Sequence, residues 1–97
     1  HPVEPEGWDD VRLSLERGEI VRVGPKPPRT ICDAIQTPST APVNFAVLKG
    51  RAEPGATVTD DEVRAAQRFA FSALKLVLEP AGAAALAAAL AGKVPLD

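Results

Sequence analysis

Chemistry in this 97-residue chain has to come from a short set of side chains. There is one cysteine, Cys32, and one histidine, the terminal His1, which reads as the scar of an expression tag. With no imidazole inside the chain to draw off its proton, Cys32 is a poor nucleophile and reads as a small buried hydrophobe. A lone cysteine forms no internal disulfide, and no CxxC or Cys/His cluster is present to hold zinc, so a reducing, cytoplasmic setting is expected. What remains is a set of carboxylates and hydroxyls beside turns and helix starts: Glu4, Asp9 and Asp10 around Trp8, Asp33 and Thr37 ahead of Pro38, and Glu79 ahead of Pro80. Carboxylates at such places either cap a helix and favour its dipole or offer oxygen to a hard cation.

The elements that must position these groups are read from periodicity. Trp8-Asp9-Asp10 opens a stretch in which Trp8, Val11 and Leu15 share a helical face and Arg12, Glu16 and Arg17 point outward, with Gly18 as its stop. "EIVRV" (19–23) alternates as a short half-buried strand does. "GPKPPRT" (24–30) is a rigid loop, and Thr30 caps a short helix, "ICDAIQT", that ends near Pro38. Val43 to Leu48 forms an apolar patch between turn residues and suits a short wedged helix. The strongest signal is "TVTDDEVRAAQRFAFSALKLVLEP" (57–80), where Thr59 and Glu62 make a capping box and Val63, Ala66, Ala70, Leu74 and Val77 recur at helical spacing. Pro80 cannot continue that helix, so a new one starts at Pro80 or Ala81 and stops at Gly92. The expected architecture is a single segment over 1–97, mainly α with one or two short strands.

Composition narrows the partners. Eleven Lys and Arg stand against thirteen Asp and Glu, which gives no single-sign field for a polyanion, so nucleic acid is not expected. The alanine-rich run from Ala81 to Ala91 is about half the ~20 residues a membrane span needs. No basic stretch followed by an apolar core opens the chain, and there is no Met, even at position 1, so the chain reads as processed, cut or incomplete.

Three segments in order, "VEPEGWDD", "TICDAIQTP" and "LKLVLEPAGAAALAA", resemble the threonine/serine dehydratase and serine racemase family of pyridoxal-phosphate enzymes of fold type II. The resemblance covers residues 2–92, and it implies the C-terminal portion of a larger catalytic chain, about a third of an intact α/β enzyme. It implies that Glu4, the carbonyl of Trp8 and Asp10 hold Mg²⁺ or Ca²⁺. It also implies that Ala34, where relatives have glycine, and Glu79 border the cofactor, and that Thr37 presents a hydroxyl to the substrate. Each has a plainer structural reading: Asp9 and Asp10 as caps, Glu79 as a cap, Thr37 as a turn residue.

The family's Schiff-base lysine and glycine-rich phosphate loop are matched by none of Lys26, Lys49, Lys75 or Lys93 and by no pair of adjacent glycines. The expected function is that of a piece, inactive alone, of an ammonia-lyase that converts a hydroxy amino acid to a 2-oxo acid and ammonia. A piece of this kind is expected to self-associate or to pack on the rest of the enzyme. The alternative is a stand-alone helical interaction module that docks through Phe45, Phe69 and Phe71.

Overall fold

The computed structural model describes residues 1–96. Its elements run β1 (Val3–Pro5), α1 (Asp10–Arg17), a 3₁₀ turn (Asp33–Ile35), α2 (Pro42–Leu48), β2 (Ala56–Val58), α3 (Asp60–Phe69), a π-helical turn (Ala70–Leu74), a second 3₁₀ turn (Ala81–Ala83) and α4 (Ala84–Leu90). The two strands pair in parallel, with Val3 opposite Ala56 and Pro5 opposite Val58. The Ala56 N–H donating to Pro2 O and the Glu6 N–H donating to Val58 O extend the ladder at either end.

The expected content of helices and short strands is met, but the strands lie elsewhere. Among the described residues "EIVRV" pairs with no strand: the Val21 N–H donates to Ser14 Oγ at 2.8 Å and the Val23 N–H to Pro38 O at 2.7 Å. Those bonds satisfy the backbone as a sheet would, without a neighbouring strand. The "ICDAIQT" helix shrinks to one 3₁₀ turn, and Thr30 Oγ1 accepts from the Cys32 N–H in a tight side-chain turn ahead of it. The wedged helix at 42–48 is present, with Pro42 in its first turn, where a missing N–H costs nothing.

α3 starts where the sequence puts it. Thr59 Oγ1 accepts from the Glu62 N–H and Glu62 Oε1 from the Thr59 N–H, closing the capping box. It ends early: the last turn widens to a π form and Lys75 turns into the left-handed region at φ 58°. Val63, Ala66 and Ala70 are therefore buried as expected, whereas Leu74 and Val77 are exposed, Val77 at 86%. Gln67 Nε2 donates to Leu78 O and holds the departing chain against the helix.

α4 packs across α3 and the strand pair. Alanines make most of the contact: Ala83 just ahead of α4 and Ala84, Ala87 and Ala88 within it are buried with Val58, Val63, Ala66 and Cys32, Leu86 packs half-buried against them, and Leu90 is half exposed. Side chains this small let two helices approach closely without rotamer loss. Lys93 then clamps the far end of α4 by donating to Thr57 O and to Glu62 Oε1, at 2.9 and 2.7 Å.

Burial raises the Glu62 pKa, but the hydrogen bonds from Lys93 and from Thr59 outweigh it, and the carboxyl sits below its ordinary 4.5. A lowered folded-state value means that the unfolded chain binds more protons, so this stabilisation is present above about pH 4.5 and fades as pH falls further. Partial exposure limits it to about 1 kcal/mol. Melting temperatures of the wild type and of Glu62→Gln should therefore differ above the carboxyl's ordinary 4.5 and converge as pH falls below it; a constant difference would refute the linkage.

No helix among the described residues is long and apolar enough to cross a membrane.

Candidate functional site

The most unusual group in the chain is Asp10. It is 1% exposed, and neither carboxylate oxygen has a hydrogen-bond partner. A buried, unpaired carboxylate is costly, and proteins rarely keep one without a use for it. Burial pushes its pKa up; its own N–H, the Glu4 carboxyl and the Thr40 backbone lie near enough to moderate the rise, and Asp9 adds to it.

Glu4 reaches Asp10 from β1 and takes over the task expected of Asp9 and Asp10. Its Oε1 accepts from the Val11 N–H at 3.0 Å and its Oε2 from the Arg12 N–H at 2.8 Å, so the first free donors of α1 are capped from outside the helix. Asp9 makes no cap and instead pairs with Arg12. The Glu4 pKa stands at about 7: burial raises it most, the Arg12 and Val11 N–H groups hold it down in part, and the negative charges of Asp10 and Asp9 add to the rise.

The turn between these acids is tightly held. The Trp8 N–H donates to Pro5 O at 2.9 Å, and its indole Nε1–H donates to Pro28 O at 2.7 Å. One turn into α1, Ser14 is fully buried; its Oγ donates to Asp10 O at 2.6 Å while accepting from Val21. Sequence reasoning missed Ser14: Glu16 and Arg17 point outward as expected, but Asp10 and Ser14 are the most buried residues of α1, with Val11, Arg12 and Leu15 only half-buried. The only sequence signal was their i, i+4 spacing.

Thr37 is exposed and lines the same hollow as Glu4, with Val3, Val11, Ile35 and Arg51. Ala34 and Glu79 belong to a second neighbourhood, where the Asp33–Ile35 turn meets the Ala81–Ala83 turn and Cys32 Sγ approaches Pro80 O at 3.6 Å. Glu79 is a cap: Oε2 accepts from the Ala81 N–H at 3.0 Å and Oε1 from the Gly82 N–H. A Cβ on residue 82 would stand 2.9 Å from Glu79 Oε1, so glycine leaves room for the carboxylate. Glu79→Ala should cost about 1 kcal/mol in chemical denaturation, as lost caps do. An unchanged midpoint would show that the carboxylate contributes nothing to the turn.

The two expected ligand sets fare differently. Among the described residues no group of three or more His, Cys, Asp or Glu converges. A hard cation, though, accepts two carboxylates completed by a carbonyl and water, and the unpartnered Asp10 oxygens beside Glu4 fit that chemistry. For pyridoxal phosphate, the ammonium groups of Lys49, Lys75 and Lys93 donate instead to Gly18 O, to Ser72 O, and to Thr57 O with Glu62. Ala34 and Glu79 by themselves supply no free group that would hold the cofactor, and no step through it follows from them.

Parallel strands joined by a helix-bearing crossover are the connection of an α/β fold, and comparison with known proteins identifies which one. The profile described as "Pyridoxal-phosphate dependent enzyme" matches residues 1–97. The chain belongs to the pyridoxal-phosphate dependent enzyme family. It is 39% identical over 90 residues to the phenylserine dehydratase of Ralstonia pickettii, covering 93% of this chain and 27% of that protein. It is 35% identical over 94 residues to the serine racemase of Schizosaccharomyces pombe, covering 97% and 28%. Among solved structures, the threonine deaminase of T.th. superposes with a TM-score of 0.85 at 40% identity, over 96% of this chain and 34% of that one. The chain thus spans between a quarter and about a third of the length of these relatives.

Proposed function

We propose that this chain is the later part of a pyridoxal-phosphate-dependent dehydratase that converts a hydroxy amino acid, serine, threonine or a near relative, to a 2-oxo acid and ammonia. The observation that carries the reading is the 39% identity to a dehydratase and 40% identity to a deaminase across nearly the whole chain. In the intact enzyme the bound cofactor supplies an electron sink for the substrate's alpha carbon. Within it, this segment's work is to hold and to orient. Glu4, the Trp8 carbonyl and Asp10 bind Mg²⁺ or Ca²⁺ and so fix the start of α1 against β1. Ala34 and Glu79 form one wall near the cofactor, and Thr37 offers a hydroxyl toward substrate.

The rest of the enzyme covers the apolar surface that 74–77 leaves open. Leu74, Leu76 and Val77 are exposed there, next to Phe71 at 66%. Phe45, by contrast, is buried, which removes one of the three anchors of a stand-alone docking module. The setting we assign is cytoplasmic, in keeping with the single free thiol.

The test is ammonia release from serine, threonine and phenylserine by the intact protein with pyridoxal phosphate, with the 97-residue chain as a control expected to release none. Absence of both cofactor binding and ammonia release in the intact protein would overturn the reading, and activity in the isolated chain would overturn the division of labour.

A further inference from the structure

We infer that the indole of Trp8 is a positioning group for the cation site, which makes the inference dependent on the cation reading above. Only the backbone carbonyl of residue 8 is needed as a ligand, and on that ground its side chain would be interchangeable. The structure gives the side chain a task. The Trp8 Nε1–H donates to Pro28 O at 2.7 Å and ties the turn between Glu4 and Asp10 to the proline-rich loop twenty residues later.

The same two segments are pressed together one residue earlier. Gly7 has φ 83°, and a Cβ there would overlap the ring of Pro28. Together with the Trp8 N–H donating to Pro5 O, this fixes the turn from three sides: its own strand, the loop's carbonyl and the loop's proline ring. Prolines at 25, 27 and 28 stiffen the loop that supplies two of those contacts. The opposite wall of the site is fixed by Ser14, which holds the Asp10 carbonyl.

A cation that takes one main-chain carbonyl and two carboxylates has no freedom to seek the carbonyl. The turn must present it, and groups that orient ligands from behind commonly govern affinity by about 10-fold to 100-fold. The indole is the one side chain of the turn that reaches outside its own segment to do this.

The experiment is calorimetric titration of Mg²⁺ and of Ca²⁺, each alone, into metal-stripped intact protein, comparing wild type with Trp8→Phe and with Gly7→Ala. The expected result is affinity about tenfold weaker in Trp8→Phe, which keeps an aromatic ring and loses the donor, and a loss at least as large in Gly7→Ala. Trp8 emission, taken as wild type minus Trp8→Phe, should titrate with the calorimetric midpoint, a signature that a merely structural tryptophan would not give. Unchanged affinity in Trp8→Phe overturns the positioning role and leaves the cation site standing. If the wild type binds neither ion, the cation reading falls and takes this inference with it. Should Trp8→Phe fail to fold, the indole emission of the wild type decides, and an emission indifferent to saturating cation overturns the inference.

Discussion

Asp10→Asn is expected to make the metal-stripped protein more stable, by about 1 to 2 kcal/mol, while abolishing its response to Mg²⁺ and Ca²⁺. The carboxylate is sealed from water with both oxygens unpartnered, so removing its charge relieves a desolvation penalty without breaking a hydrogen bond. On the cation reading proposed above, an ion bound in the wild type would offset the same penalty, stabilising the folded state in proportion to the logarithm of its concentration, by about 2.7 kcal/mol at a hundredfold excess over the dissociation constant. Melting curves in chelator and in excess cation separate the two effects: the variant should lead in chelator and fall behind in cation. A variant that is less stable in chelator and still responds to the ion would mean that Asp10 is structural and that the cation, if bound, lies elsewhere.

The second large effect is expected where α4 meets α3. Ala88→Leu should lower stability by about 3 kcal/mol, because Ala88 on α4 and Ala66 on α3 are wholly buried in one cluster and the added branches have no space where the two helices pack. Ala85→Leu, on the exposed side of the same helix, should change it by less than about 0.5 kcal/mol. The pair controls for helix propensity, since both exchange the same residues in the same helix. Equal effects at both positions would show that α4 is held by its own helicity and not by packing.

How much of this was legible in the sequence depends on the range of the interaction involved. The start of α3 was legible because a capping box is local: Thr59 and Glu62 satisfy each other's backbone within one turn. The end of α3 was not, because the apolar period runs on through Leu74 and Val77 while the backbone turns away at Lys75. Periodicity identifies apolar residues but not which surface they serve, and these face outward in this chain.

"EIVRV" shows the converse failure. Its alternation is real, but its N–H groups found a serine hydroxyl and a loop carbonyl in place of a strand. The true strands, VEP and ATV, alternate over only three residues each, too few to stand out from the surrounding sequence.

At the candidate site, the resemblance supplied Glu4, Trp8 and Asp10, and the structure puts the two acids side by side. What no reading of spacing supplied was the division of labour between them. Glu4 caps α1 from across a turn, at i+7 and i+8, and that leaves Asp10 free. Such a contact exists only once β1 and α1 have been brought together, as does the Trp8 bond to Pro28.

The parallel pairing of β1 with β2 has a consequence for the order in which the molecule assembles. Val3 must meet Ala56 across more than half of the chain, a closure that includes α1, the proline-rich loop and α2. Closing so long a loop is entropically slow, and contacts of this separation set the folding rate. On a ribosome, β1 therefore waits for its sheet partner through the synthesis of some fifty residues. Glu4, which sits on that waiting strand, has its α1 partners at hand almost at once. The carboxylate's hold on α1 can thus precede the sheet, giving the strand a folded neighbour during the interval when its edge would otherwise be open to other chains.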